Sequence, residues 1–159
     1  MPGEPLPIDP DFDATDAGQK REISGTHGAV LAVIAAGGAL GALSRYGLTL
    51  VWPAPAGGFP WAIFVINVVG SFLLGVLMVV ITEIRPAHPL VRPFLGVGIL
   101  GGFTTFSTYA NDIRALLNPD TVVTAAAYLI GTLTAALTAT ACALILTRYA
   151  ARSIRTETI

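Results

Sequence analysis

The chain has 159 residues, enough for one domain. It is 53% hydrophobic and only 12% charged; a soluble domain carries about 25% charged residues, so this balance points to lipid rather than to a larger core. A net charge of −1 leaves no basic surface for nucleic acid, and the single cysteine, Cys142, has no partner for an internal disulfide.

Residues 1–27 carry Glu4, Asp9, Asp11, Asp13, Asp16 and Glu22 among Pro2, Pro5, Pro7 and Pro10. Too little apolar surface is present to offset ordering, so this stretch reads as a disordered acidic, Pro-rich tail. It lacks the basic start and short apolar run of a signal peptide. Four apolar stretches follow, at 28–51, 61–82, 90–110 and 121–147. Each is long enough for a helix to cross the hydrocarbon, which takes about 20 residues. Pro53 and Pro55, then Pro86 and Pro89, then Pro119 mark the turns between them. Trp52, Phe59 and Trp61 cluster where an aromatic belt would sit.

Four spans put both termini on one side. Lys20, Arg21, Arg85, Arg92, Arg148, Arg152 and Arg155 fall on that side, against Arg114 on the other. The bias predicts cytoplasmic termini. The domain reading is a cytoplasmic tail at 1–27, a four-helix transmembrane domain at 28–150 and a short cytoplasmic tail at 151–159.

Gly37 and Gly41, Gly38 and Ala42, Ser71 and Gly75, and Gly98 and Gly102 are each four apart. Such spacing lets helices approach closely in lipid. The third span runs Gly98-Ile99-Leu100-Gly101-Gly102-Phe103-Thr104-Thr105-Phe106-Ser107-Thr108-Tyr109. Paired glycines followed by β-branched residues make a poor helix. A break there exposes peptide groups that lipid cannot satisfy, so they must face protein, an ion or water. The plain alternative is a continuous helix whose hydroxyls bond back to its own carbonyls.

Arg45 lies inside the first span, and no span holds an acid to pair with it. It either serves an anion pathway or snorkels from near the helix end. Asn67, at the middle of the second span, either bonds a neighbouring helix or turns its NH₂ toward a passing anion. Phe106 and Tyr109 share a helical face, and an aromatic ring is electropositive at its edge. Ala36-Gly37-Gly38-Ala39-Leu40-Gly41 half-matches a dinucleotide fingerprint but lacks the first glycine, the following acid and any strand–helix alternation. His27 and His88 stand alone, and nothing resembles an activated nucleophile, so no enzyme is expected.

Three blocks together resemble the bacterial Fluc (CrcB) fluoride channel family. They are Gly37-Gly38-Ala39-Leu40-Gly41-Ala42-Leu43-Ser44-Arg45-Tyr46, Asn67-Val68-Val69-Gly70-Ser71-Phe72-Leu73-Leu74-Gly75, and Gly101-Gly102-Phe103-Thr104-Thr105-Phe106-Ser107-Thr108. The resemblance spans residues 28–150. It implies an all-α membrane fold with the third helix broken mid-membrane, two antiparallel subunits, and passive export of toxic fluoride. It also implies a structural sodium ion at the dimer centre, bound by the carbonyls of Gly101 and Thr104. The pore would carry Asn67 and Phe106, Tyr109 in place of a second phenylalanine, and a polar track of Ser107, Thr108, Tyr128 and Thr132. Ala136 stands where many members carry another hydroxyl. Arg45 falls to an electropositive vestibule or to structure.

The arginine bias suits a chain that inserts one way only and pairs with an inverted paralogue rather than with itself. Two rivals come from other classes. A four-helix multidrug or cation exporter would need a membrane-embedded carboxylate, and no span has one. A membrane scaffold would explain the small-residue pairs but not the poor third helix or Asn67.

Overall fold

The computed structural model describes residues 28–84 and 87–156. The tail at 1–27, with Lys20, Arg21 and His27, lies outside the described residues. So do Arg85 and the side chain of Arg155. The described residues are helices and turns, with no strand among them. Helix α1 is Gly28–Val51 and α2 is Trp61–Val79, prolonged by a π-helical turn, Val80–Ile84. A second π-helical segment, Arg92–Leu100, leads into a short α3, Gly101–Phe103. Helix α4 is Ser107–Leu116 and α5 is Val122–Thr156.

Three of these helical runs are long and apolar enough to cross a membrane: Gly28–Val51, Trp61–Ile84 and Val122–Ser153. Their outward faces carry Leu40, Leu43, Leu50, Leu133, Leu137 and Ile145, all exposed. A surface of that kind suits lipid, which solvates leucine as well as a protein interior does. Helix α5 runs through Thr156, well past the apolar stretch that predicts it.

Backbone contact sets how α1 meets the third stretch. A Cβ on Gly37 would lie 2.6 Å from the Phe94 carbonyl oxygen and 3.0 Å from the Gly98 Cα. One on Gly102 would collide with the Gly38 carbonyl. Contacts advance together from Gly37 with Gly98 to Gly41 with Phe103, so the two stretches run parallel. Parallel packing recurs between α2 and α5. Gly75 sits against Ala143, and Glu83 accepts a two-pronged ion pair from Arg148, with Nη2 at 2.7 Å and Nε at 3.0 and 3.1 Å. Gly37, Gly41, Gly75, Gly98 and Gly102 therefore sit at close helix contacts, whereas a Cβ on Gly38 would meet nothing within 4 Å.

Helices α4 and α5 form an antiparallel hairpin. Thr121 closes it, donating its hydroxyl to the Leu116 carbonyl at 2.8 Å, while Asn118 Nδ2 donates to Ala115 at 2.9 Å. Otherwise orphaned carbonyls at the end of α4 are thereby satisfied. The core lies beside this turn: Ile63, Ile66, Tyr109, Leu116, Ala125 and Tyr128 are buried, with Phe59, Phe64, Phe103 and Ile113 against them.

The third stretch departs from expectation in one respect. Gly101 keeps helical angles (φ −66°, ψ −35°), and the chain leaves the helix only at Thr104 (φ −72°, ψ 157°). The glycine pair is therefore not the hinge. Gly102 is spent on the approach of α1, and the β-branched Thr104 takes the extended angles that such residues favour.

Candidate functional site

Where the helix is interrupted, between α3 and α4, peptide groups lose their helical partners. Side chains from two other helices replace them. Arg45 on α1 donates Nε to the Gly102 carbonyl at 3.2 Å. Asn67 on α2 donates Nδ2 to the Thr105 carbonyl at 3.0 Å and accepts the Thr105 N–H through Oδ1 at 2.9 Å. Thr104 binds back to the Leu100 carbonyl through its own hydroxyl at 2.9 Å and its N–H at 3.0 Å. Gly70, one turn from Asn67 on α2, makes the space that the Thr104 methyl fills.

A cavity of about 410 Å³ opens beside this interruption. Asn67, Gly70, Ser71, Thr104, Thr105, Phe106, Tyr109 and Thr132 line it, with Leu74, Gly96, Leu100, Gly101, Leu133 and Ala136. None of these is charged. Thr132 is 4% exposed, and its hydroxyl is buried without a hydrogen-bond partner. A buried hydroxyl without a partner is costly. Asn67 commits one N–H to Thr105, and its amide nitrogen carries a second donor.

Phe106 is 79% exposed, whereas Tyr109 is buried. Their ring centroids are 5.9 Å apart at 53°, and Tyr109 meets Tyr128 edge-on at 5.2 Å. The Tyr109 hydroxyl donates to the Leu129 carbonyl of α5 at 2.6 Å. Its ring thus borders the cavity while its polar end is bound elsewhere.

The structure gathers Gly101, Thr104, Asn67, Phe106, Tyr109 and Thr132 around one space, and leaves four expected residues off it. Arg45 holds the Gly102 carbonyl. Ser107 is exposed, and Thr108 is engaged by Thr105 through both N–H and hydroxyl. Tyr128 is fully buried, its hydroxyl 3.3 Å from Asp112 Oδ2 and its ring against Phe59. The residue not anticipated is Thr105. A Thr three residues ahead of Thr108, just past a glycine pair, is the sequence signal for it.

The family profile described as "CrcB-like protein, Camphor Resistance (CrcB)" matches residues 32–144. The chain belongs to this family. Among CrcB relatives, the fluoride-specific ion channel FluC 1 of Streptomyces coelicolor is 60% identical over 114 residues, covering 72% of this chain and 74% of the relative. FluC 2 of Streptomyces avermitilis is 56% identical over 115 residues, covering 71% and 73%. FluC 2 of Nocardia farcinica is 57% identical over 109 residues, covering 69% and 78%. The matched CrcB region contains the interruption and every residue lining the cavity.

Proposed function

We propose that this chain is one subunit of a fluoride-selective passive channel that relieves the cytoplasm of toxic fluoride. The observation that carries this is the uncharged cavity at the helix interruption, lined by Asn67 and Thr132 together with the aromatic residues Phe106 and Tyr109. Fluoride is small and strongly hydrated, so hydroxyl and amide donors must replace its water. Electropositive ring edges add attraction without trapping the ion as a fixed cation would. No acid lines the cavity, so proton-coupled export lacks a carrier there.

In this reading the chain crosses the lipid bilayer four times, the third crossing being the interrupted stretch at 90–110. The termini are cytoplasmic, and two subunits associate antiparallel. Exposed Phe106 and Gly101 then face the second subunit. Main-chain carbonyls of Gly101 and Thr104 would hold a structural sodium ion at the dimer centre. These are hard oxygen donors, Gly101 is exposed, and Thr104 has left the helix, all of which suit an alkali cation shared by two copies. Such a cation would neutralise carbonyls that lipid cannot satisfy. The arginine bias favours an inverted paralogue as the second subunit over another copy of this chain.

Fluoride efflux from proteoliposomes, followed with a fluoride electrode, tests the reading. The chain is reconstituted alone and with a co-expressed relative of opposite arginine bias. Fluoride should leave and chloride should not. Absence of fluoride efflux in both preparations, or equal chloride efflux, refutes it. Epitope accessibility in whole cells tests the pairing, and equal populations of both orientations would rule out an obligate inverted partner.

A further inference from the structure

We infer that Thr105 is the positioning residue of the interruption: it sets where the helix restarts and thereby aims Phe106. The functional part of this inference rests on the channel reading above. Two independent sets of bonds meet at Thr105. Its N–H and C=O both bond the carboxamide of Asn67, at 2.9 and 3.0 Å. Two bonds to one planar group fix the rotation of the Thr105 backbone as well as its position. Its hydroxyl accepts the Thr108 N–H at 3.2 Å and donates to Thr108 Oγ1 at 3.1 Å.

That hydroxyl does the work of a helix cap. Helix α4 begins at Ser107, and Phe106, at the capping position, makes no side-chain cap bond. A phenylalanine has no oxygen to offer, so Thr105 caps from one residue earlier. At an aqueous helix end, water replaces a lost cap. Within a bilayer it does not, and the amide is left unpaired.

Phe106 lies between the two anchors. Its own carbonyl accepts the Ala110 N–H at 2.9 Å, and its ring projects 79% exposed. The ring's direction is therefore set by the backbone on either side of it, and Thr105 fixes that backbone on the amino-terminal side.

Thr105→Val keeps the shape and removes the hydroxyl, Thr105→Ser keeps the hydroxyl, and Thr105→Ala serves if the valine branch disturbs assembly. Two measurements are made on the full chain with its partner: single-channel fluoride conductance in planar bilayers, and amide hydrogen exchange over residues 105–110. Unitary conductance does not depend on how many channels fold, so a merely stabilising role leaves it unchanged. Losing a cap should lower it about tenfold in Thr105→Val, with Thr105→Ser near wild type. Exchange over residues 105–110 should quicken in the same variant. Unchanged conductance in Thr105→Val overturns the inference, as does failure of Thr105→Ser to restore it. If the wild-type chain conducts no fluoride, the channel reading fails and exchange alone decides. Unchanged exchange in Thr105→Val then overturns the cap.

Discussion

Helix α1 offers a paired test of the packing, because two of its glycines meet opposite surroundings. A Cβ on Gly41 would lie 2.7 Å from the Phe103 nitrogen and 3.0 Å from the Ile99 carbonyl carbon, with the Ile99 oxygen nearer still. All three are backbone atoms, so no side chain can swing aside. A Cβ on Gly47 would meet nothing within 4 Å. Gly41→Ala and Gly47→Ala gain the same helix propensity, about 1 kcal/mol, so their difference isolates the collision. Overpacking costs roughly 1–3 kcal/mol, and rigid backbone on the far side places Gly41→Ala toward the upper end. The two variants should therefore melt roughly 2–12 °C apart, with Gly47→Ala at or slightly above wild type. Near-ultraviolet circular dichroism in detergent, with size-exclusion chromatography to check dispersity, gives the melting temperatures. If Gly41→Ala melts as high as Gly47→Ala, α1 does not lie on the third stretch through this face.

Three further outcomes follow from the cavity and its rim. Thr132→Val removes a buried hydroxyl that has no partner, so melting temperature should hold or rise while fluoride efflux falls about tenfold; unchanged efflux would take Thr132 out of the pathway. Tyr109→Phe loses the 2.6 Å bond to Leu129, worth about 0.5–1.5 kcal/mol, but should keep its efflux because the hydroxyl is committed to that carbonyl. A large efflux change would mean that the hydroxyl reaches the ion. Glu83→Gln breaks an ion pair whose side chains are 49% and 42% exposed, so it should shift melting slightly, and not at all in molar salt. A salt-insensitive loss would show that the pair is shielded.

Much of this was legible in the residues. Apolar length alone placed the long helices, because a span in lipid has few alternatives. The glycine spacing indicated close helix approach, and the structure supplies the partners, α1 with the third stretch and α2 with α5. What spacing could not give was the point of departure from the helix. Gly101 and Gly102 read as a break because glycine is the poorest helix former after proline. Their backbone stays helical, Gly102's missing side chain serves the approach of α1, and only three-dimensional packing reveals which use a glycine has. Nor could spacing show where the Tyr109 hydroxyl would bond. Its hydroxyl finds a carbonyl twenty residues away in sequence, on a helix whose rotation the sequence does not fix.

The polar residues inside the spans gain a common explanation from the interruption. Taken singly, Arg45 and Asn67 each had two readings, a pathway role and a plain structural one. In the structure both spend hydrogen bonds on peptide groups between Gly102 and Thr105. An interrupted helix gives up internal hydrogen bonds, so it persists only if other groups take up the freed peptide groups. Arg45 and Asn67 supply some of the replacement bonds from α1 and α2, and the Thr105 hydroxyl supplies one from the interrupted stretch itself. The two readings of Asn67 are then compatible, since an amide nitrogen has two hydrogens and only one is spent on Thr105. The same side chain can bridge the interruption and still carry a second donor.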